Sequence, residues 1–261
     1  MRPPLAALVL VIVLVTSGCL GGPSRPPSDQ RAMDALNRSQ DAMADVTSYR
    51  TTIDGRVEAT GNDEQVTLFV DGTVTVNAST QEMNATGRVR EQRGTRAQAE
   101  TQMTYVTGYT AFSECSRMGW ERQNLSQTRA WLTYTPVGQQ LGVLNETNVY
   151  WNGTETINGT ESAVIVAYPT MEELQAIPDV RSRGATDVGD ANLDNATLRV
   201  WIDTDTGRPL KAQRDIRISE SGNTATATIT LRFTDYNEST SVNRPEFDEE
   251  SLWQLGCPNS N

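Results

Sequence analysis

Few residue types in this chain can do chemistry, and their pattern excludes more than it offers. There are 33 acidic residues, three cysteines and no histidine. Without imidazole there is no Ser-His-Asp or Cys-His nucleophile and no imidazole-based zinc site. The phosphate-cradling patterns G-x-x-x-x-G-K-[ST] and G-x-G-x-x-G do not occur. Asp203-Thr204-Asp205-Thr206-Gly207 suggests a calcium loop, but such a loop closes on a glutamate at its twelfth position, where this chain has Arg214. A hairpin turn fits those residues better. Paired carboxylates about 5–9 Å apart would suit a glycosidase, yet nothing singles out a pair. The chain is expected to be no enzyme, with no catalytic residue, no metal and no cofactor.

The thiols point elsewhere. Cys19 follows Val15-Thr16-Ser17-Gly18, at the end of an uninterrupted apolar run over residues 5–15 behind Arg2. As a helix that run rises only about 16 Å, too short for a hydrocarbon core of about 30 Å. It suits the h-region of a secretory signal. No paired arginines precede it, which argues against the twin-arginine route. Small Ser17-Gly18 before Cys19 resembles a lipobox, the processing site of secreted lipoproteins. In those proteins the cysteine becomes the new N-terminus and carries a thioether-linked lipid. Thr16 departs from the commoner Leu or Val, and an ordinary signal peptide or an uncleaved anchor are the alternatives.

The expected organisation is a lipoprotein signal peptide over residues 1–18, a flexible tether over 19–29 and a single domain over 30–261. The domain would lie on the outer face of the cell membrane, held by lipid on Cys19. The tether, rich in Gly, Pro and Ser, has almost nothing to bury. With Cys19 lipidated, Cys115 and Cys257 remain as one pair, and an oxidising exterior permits their disulfide. Two free thiols are the alternative.

The formal net charge is −11, and Lys211 is the one lysine. An acidic, lysine-poor, threonine-rich surface resembles that of proteins from salt-loving archaea, where carboxylates keep the protein hydrated while salt screens their repulsion. A merely acidic mesophile protein is the alternative. Either way nucleic acid is excluded as a partner, because the electrostatic term would be repulsive. N-x-S/T sequons begin at Asn37, Asn77, Asn84, Asn124, Asn145, Asn152, Asn158, Asn195 and Asn237. Each is a glycosylation candidate if it lies on an exposed surface.

The elements that must position these residues follow from periodicity. Ser28 or Asp29 caps a helix to about Val46, with Met33, Leu36, Met43 and Val46 on one face. From Ser48 the period changes to two, through Val57, Val66, Leu68, Val70, Val76, Met83 and Val89, with a further strand over 97–106. Residues 109–120 read as one strand with a bend. Pro136 opens a helix that Asn145 ends. Strands follow near 149–155 and 163–168, and Thr170 with Glu173 makes a capping box. Residues 179–195 read as a long polar loop, a lid or disorder. The last third forms hairpins: Ala196, Leu198, Val200 and Ile202 alternate into the Asp203 turn, and Ala212, Ile216 and Ile218 return. Ala225, Ala227, Ile229, Leu231 and Phe233 follow, with Thr226, Thr228 and Thr230 on the opposite face. A one-sided greasy face of this kind belongs to an antiparallel sheet with one wet side.

The lipobox and tether, the first helix ending in Val46-Thr47-Ser48-Tyr49, and the hairpin carrying Trp201, Ile202, Asp203, Gly207, Pro209 and Lys211 together resemble a known family. Tyr236, Asn237, Val242 and Pro245 extend the likeness, which spans most of residues 29–248. The family is that of the LolA/LppX-like lipoprotein carriers and their halophilic archaeal relatives. The resemblance implies an α+β fold: a curved antiparallel sheet, an incomplete β-barrel, with helices packed on its open, concave side. It implies an apolar cavity, for which Val66, Leu68, Val70, Ile229, Leu231 and Phe233 are the candidate lining, and a lipid or lipoprotein cargo. The alternative is a non-catalytic cell-envelope interaction or structural domain.

Overall fold

Asp29 starts the first helix, α1 (Gln30–Ala44), by accepting a hydrogen bond from the Arg31 N–H at 2.8 Å. The computed structural model describes residues 25–61, 64–115, 119–175, 192–248, 251–253 and 257. The signal peptide, Cys19, the first part of the tether and most of the 179–195 loop lie outside the described residues. The buried face of α1 is Ala32, Ala35, Leu36, Ser39 and Met43. This corrects the expected stripe, because Met33 is 39% exposed. The helix also ends at Ala44 rather than Val46. The reason is close packing: two alanines let the helix axis approach the sheet, which turns Met33 outward.

Among the described residues eleven strands make one sheet. They are β1 (Ser48–Gly61), β2 (Glu64–Asn77), β3 (Glu82–Arg93), β4 (Arg96–Thr107), β5 (Thr110–Glu114), β6 (Trp120–Asn124), β7 (Val149–Ile157), β8 (Thr160–Ala167), β9 (Asn192–Asp203), β10 (Pro209–Glu220) and β11 (Asn223–Thr234). Their spatial order is β6-β5-β4-β3-β2-β1-β11-β10-β9-β8-β7, with antiparallel pairing throughout. The first strand pairs with the last, so two meanders meet at the centre. The terminal strands β6 and β7 do not pair, which leaves a curved, open half-barrel.

Three local readings change. The expected single bent strand over 109–120 is instead two antiparallel strands, with β5 ending at Glu114 and β6 starting at Trp120, and the Cys115 N–H donates to the Gly119 carbonyl between them. The helix α2 (Pro136–Glu146) follows a 3-10 turn at Trp131–Tyr134, with Thr135 as its cap. It passes through Asn145 instead of stopping there. Residues 192–195, expected in the long loop, are already strand, with Leu193 opposite Ile218. By contrast the capping box of α3 (Met171–Gln175) forms as expected: Glu173 Oε2 accepts from the Thr170 N–H, and Thr170 Oγ1 accepts from the Glu173 N–H.

Asp203 builds the hairpin turn between β9 and β10. Its Oδ1 accepts from the Asp205 and Thr206 N–H groups at 2.8 and 3.1 Å, and Gly207 takes φ +73°. Burial pushes the Asp203 carboxyl up. The hydrogen bonds from Asp205 and Thr206 and the charge of Arg208 outweigh it, holding the group below its ordinary range.

After β11 the chain crosses the face of the sheet opposite the helices. Asn237 Oδ1 accepts from Thr47 N–H, and Asn84 Nδ2 donates to the Asn243 carbonyl. Phe247 stacks on Phe112 at 4.7 Å and tilts against Trp120 at 5.1 Å. The crossing ends in the Cys115–Cys257 disulfide, the pair expected from counting cysteines.

Candidate functional site

Directly opposed residues of an antiparallel sheet share a face, so the register defines an inner face strand by strand. On β1 it carries Tyr49, Thr51, Ile53, Gly55, Val57 and Ala59. Opposite them on β2 stand Val76, Val74, Gly72, Val70, Leu68 and Val66. On β11 they are matched by Phe233, Leu231, Ile229, Ala227 and Ala225. β10 adds Ala212, Arg214, Ile216 and Ile218, and β3 adds Met83, Ala85, Gly87 and Val89, then the charged Glu91 and Arg93 opposite Leu68 and Val66.

One end of this face is closed. Tyr49, Val74, Val76, Met83, Val106, Leu198, Val200, Leu231 and Phe233 are buried in a single core with residues of α1 and α2. Tyr49 is fully buried, and its hydroxyl accepts a hydrogen bond from the Val137 N–H of α2 at 3.3 Å. Burial raises its phenol far above the usual range, despite opposing hydrogen bonds from Thr135 and Val137. It is a neutral strut between sheet and helix.

The other end is not closed. Val57, Val66, Leu68, Val70, Ile216, Ile218 and Ile229 are half-buried, and Val89 is 41% exposed. These side chains continue the greasy alternation beyond the core without being packed to the same degree. Gly72 and Gly87 stand directly opposite each other at the border. A Cβ on Gly87 would meet nothing within 4 Å, whereas one on Gly72 would lie 2.8 Å from the Thr86 carbonyl oxygen, so the pair marks a close approach of backbone on one side and open surface on the other.

The six candidate lining residues therefore divide. Leu231 and Phe233, 6% and 2% exposed, belong to the packed core. Val66, Leu68 and Val70 lie on the open end, and Ile229 lies between, half-buried and packed against the core's edge. The structure adds Val57, Val89, Ile216 and Ile218 to the open end. Their alternation was visible in the sequence, but not which alternating positions a helix would cover. Arg214 was missed as well. It occupies an apolar phase of β10, opposite Leu198 and Ile229, and its Nε donates to Gln140 Oε1 of α2 at 2.8 Å. A charge in the greasy phase of an alternating strand was the signal.

Of the sequon asparagines, Asn37, Asn124, Asn145, Asn152, Asn158, Asn195 and Asn237 are exposed, whereas Asn77 and Asn84 are half-buried. The Asn84 amide nitrogen is committed to the crossing tail. Among the described residues the Cys115, Glu121 and Cys257 ligand atoms lie within 4.8 Å of one another, but both sulfurs are in the disulfide.

The class that this fold defines is the open antiparallel half-barrel with helices against its inner face. The chain is similar in structure to lipoprotein LppX of Mycobacterium tuberculosis, at 18% identity over 83% of this chain and 100% of that one, with a TM-score of 0.47. It is also similar to LprF of Mycobacterium bovis, at 12% identity over 84% and 99% of the two chains, with a TM-score of 0.45. No family model and no curated protein matches the sequence. Likeness at this level leaves function to be argued from the chain's own residues.

Proposed function

We propose that the protein is an extracytoplasmic lipoprotein, anchored by lipid on Cys19, that binds an apolar or lipidated ligand on the open end of its inner sheet face. The observation that carries the binding reading is the strip of Val57, Val66, Leu68, Val70, Ile216 and Ile218, half-exposed on the face that a few residues away forms the core. Contiguous apolar surface left in water is unfavourable by about 25 cal/mol per Å2, so a chain that keeps it has a use for it. The short apolar leader and Ser17-Gly18-Cys19 support the anchor, and the lysine-poor acidic surface supports a salt-rich exterior.

Native mass spectrometry of protein taken from its own membranes, followed by lipid extraction, tests this. A non-covalent lipid beyond the Cys19 modification is expected, and Leu68→Asp should lower its occupancy at least tenfold while leaving the unfolding midpoint nearly unchanged. Protein that is ligand-free and indifferent to a fluorescent alkyl probe sinks the binding reading. A Cys19→Ser protein that stays equally membrane-bound sinks the anchor. The second reading, a docking domain for another envelope protein, draws on the openness of the same strip. It would be favoured by a co-purifying protein that protects Leu68 and Val70 from labelling.

A further inference from the structure

The chain enters the domain strapped to one edge of the sheet. Arg25 pairs with Glu173 of α3 at 3.3 Å. The Pro26 carbonyl accepts from the Tyr150 hydroxyl at 2.7 Å and from Asn148 Nδ2 at 3.0 Å. Ser28 Oγ accepts from the Val149 N–H, and the Asp29 N–H donates to the Val149 carbonyl. These partners lie on α3 and at the start of β7, an end strand of the sheet. From there α1 carries the chain away toward the start of β1.

Around this entry the surface is aromatic and apolar. Tyr150 and Tyr168 tilt against each other with ring centres 5.9 Å apart. Tyr168 is 45% exposed, and Met33, in the first turn of α1, is 39% exposed. Among the described residues four large apolar side chains are this exposed, and two of them stand here. The Arg31 guanidinium lies 3.7 Å over the ring of Trp151, the next residue of β7. Charge around the entry is mixed: Glu173 answers Arg25, and Asp34 and Glu172 are exposed.

Six peptide steps lead from Cys19 to Arg25. A chain extends by at most about 3.6 Å per residue, so Arg25 stays within about 22 Å of Cys19. A compact domain of this length is about 45 Å across. A lipid on Cys19 therefore keeps the strapped edge close to the bilayer. It leaves too little chain for the opposite side of the domain to turn toward the lipid. Tyrosine, with an apolar ring and a polar tip, is favoured where a bilayer meets water.

We propose that this entry edge, with Tyr150, Tyr168 and Met33 beside the strapped segment, is the surface that the protein lays on the bilayer. This rests on the reading of Cys19 as the lipid anchor and adds the orientation of the domain to it. The occupant is the interfacial zone of the lipid, reached by rings and thioether rather than by charge. With a formal net charge of −11, the chain gains nothing from an anionic membrane surface.

The test uses the native lipidated protein in phosphatidylcholine vesicles, part of whose lipid carries bromine in the upper acyl chain as a contact quencher of tryptophan. Tyr168→Trp puts a reporter at the entry edge. Ser79→Trp puts one at the exposed turn between β2 and β3, beside Thr47 at the other end of the strands. The emission gained in Tyr168→Trp should be quenched roughly threefold or more strongly than that gained in Ser79→Trp. Exchanging phosphatidylcholine for phosphatidylglycerol, or raising the salt, should leave that ratio unchanged. Equal quenching at the two positions, or none at either while the protein stays on the vesicles, overturns the inference and leaves the anchor intact. Quenching confined to phosphatidylglycerol and lost in salt overturns it in favour of a charge contact. A reporter at 168 shielded from aqueous iodide yet untouched by brominated lipid puts a second copy or another protein on the edge, and also overturns it. A Cys19→Ser protein that binds the vesicles equally well overturns the anchor reading instead.

Discussion

The two ends of the inner sheet face have nearly the same composition and opposite fates. At one end Val74, Val76, Leu198 and Val200 are nearly or fully removed from solvent. At the other Val66, Leu68, Val70 and Ile218 keep part of their surface in water. The strands are continuous between the two, and the alternation does not change phase. What differs is the partner. Tyr49, Val137, Leu141 and Leu144 bring α2 down on the first end, whereas the second is bounded by hairpin turns. Strand hydrophobicity therefore marks a face that wants cover, and the helices decide how much of it receives cover internally.

The tail disulfide should have the largest effect on stability, because it ties the C-terminal segment to the end of β5, beside the sheet edge where the Trp253 N–H donates to the Trp120 carbonyl of β6. It links residues 142 apart. Cys115→Ser with Cys257→Ser, or reduction, should lower stability by about 4–5 kcal/mol in the chain-entropy view, read as a shift in the denaturant midpoint. A shift below about 1 kcal/mol would mean that the aromatic contacts of Phe247 hold the tail unaided.

Matched truncations compare the two ends directly. Leu198→Ala opens a cavity in packed core and should be destabilising by about 3 kcal/mol. Leu68→Ala removes a side chain already half in water and should be destabilising by less than about 1 kcal/mol. Equal losses in chemical denaturation would show that the open end is packed in solution and would dissolve the contrast.

The smallest expected effect is at the Asp203 turn, next to the closed end. Its carboxyl is held below the ordinary range in the folded protein, so its stabilising effect is fully present above about pH 4, the unfolded value. That contribution falls away as pH drops through the lower folded value. Asp203→Asn should lose about 1 kcal/mol at pH 7, and the loss should shrink as both proteins are acidified below pH 4. A constant difference from pH 7 to pH 2 would place the effect in packing rather than charge.

Much of the fold was legible because its signals are local. Period-two alternation in Ala225, Ala227, Ile229, Leu231 and Phe233, the Asp203 turn and the Thr170–Glu173 box each depend on neighbours a few residues away. The misread segments are those where tertiary packing overrides local pattern. Met33 is turned out because Ala32 and Ala35 admit close approach. Trp120–Asn124 pairs back against β5 as a separate strand, and Leu193 is drawn into strand by Ile218.

For the candidate site, the sequence by itself determined one greasy sheet face, its threonine-rich reverse and the absence of imidazole chemistry, whereas the bond between Cys115 and Cys257 was one of two readings until the fold joined them. These follow from residue type and a two-residue period, which need no knowledge of distant contacts. Only the tertiary structure decided that Leu231 and Phe233 fill a core while Val66, Leu68 and Val70 remain accessible. It also decided that Arg214 falls on the line between them. The physical reason is that burial belongs to pairs of surfaces: a strand specifies which side chains share a face, and another element, placed by the whole fold, specifies which of them lose their water.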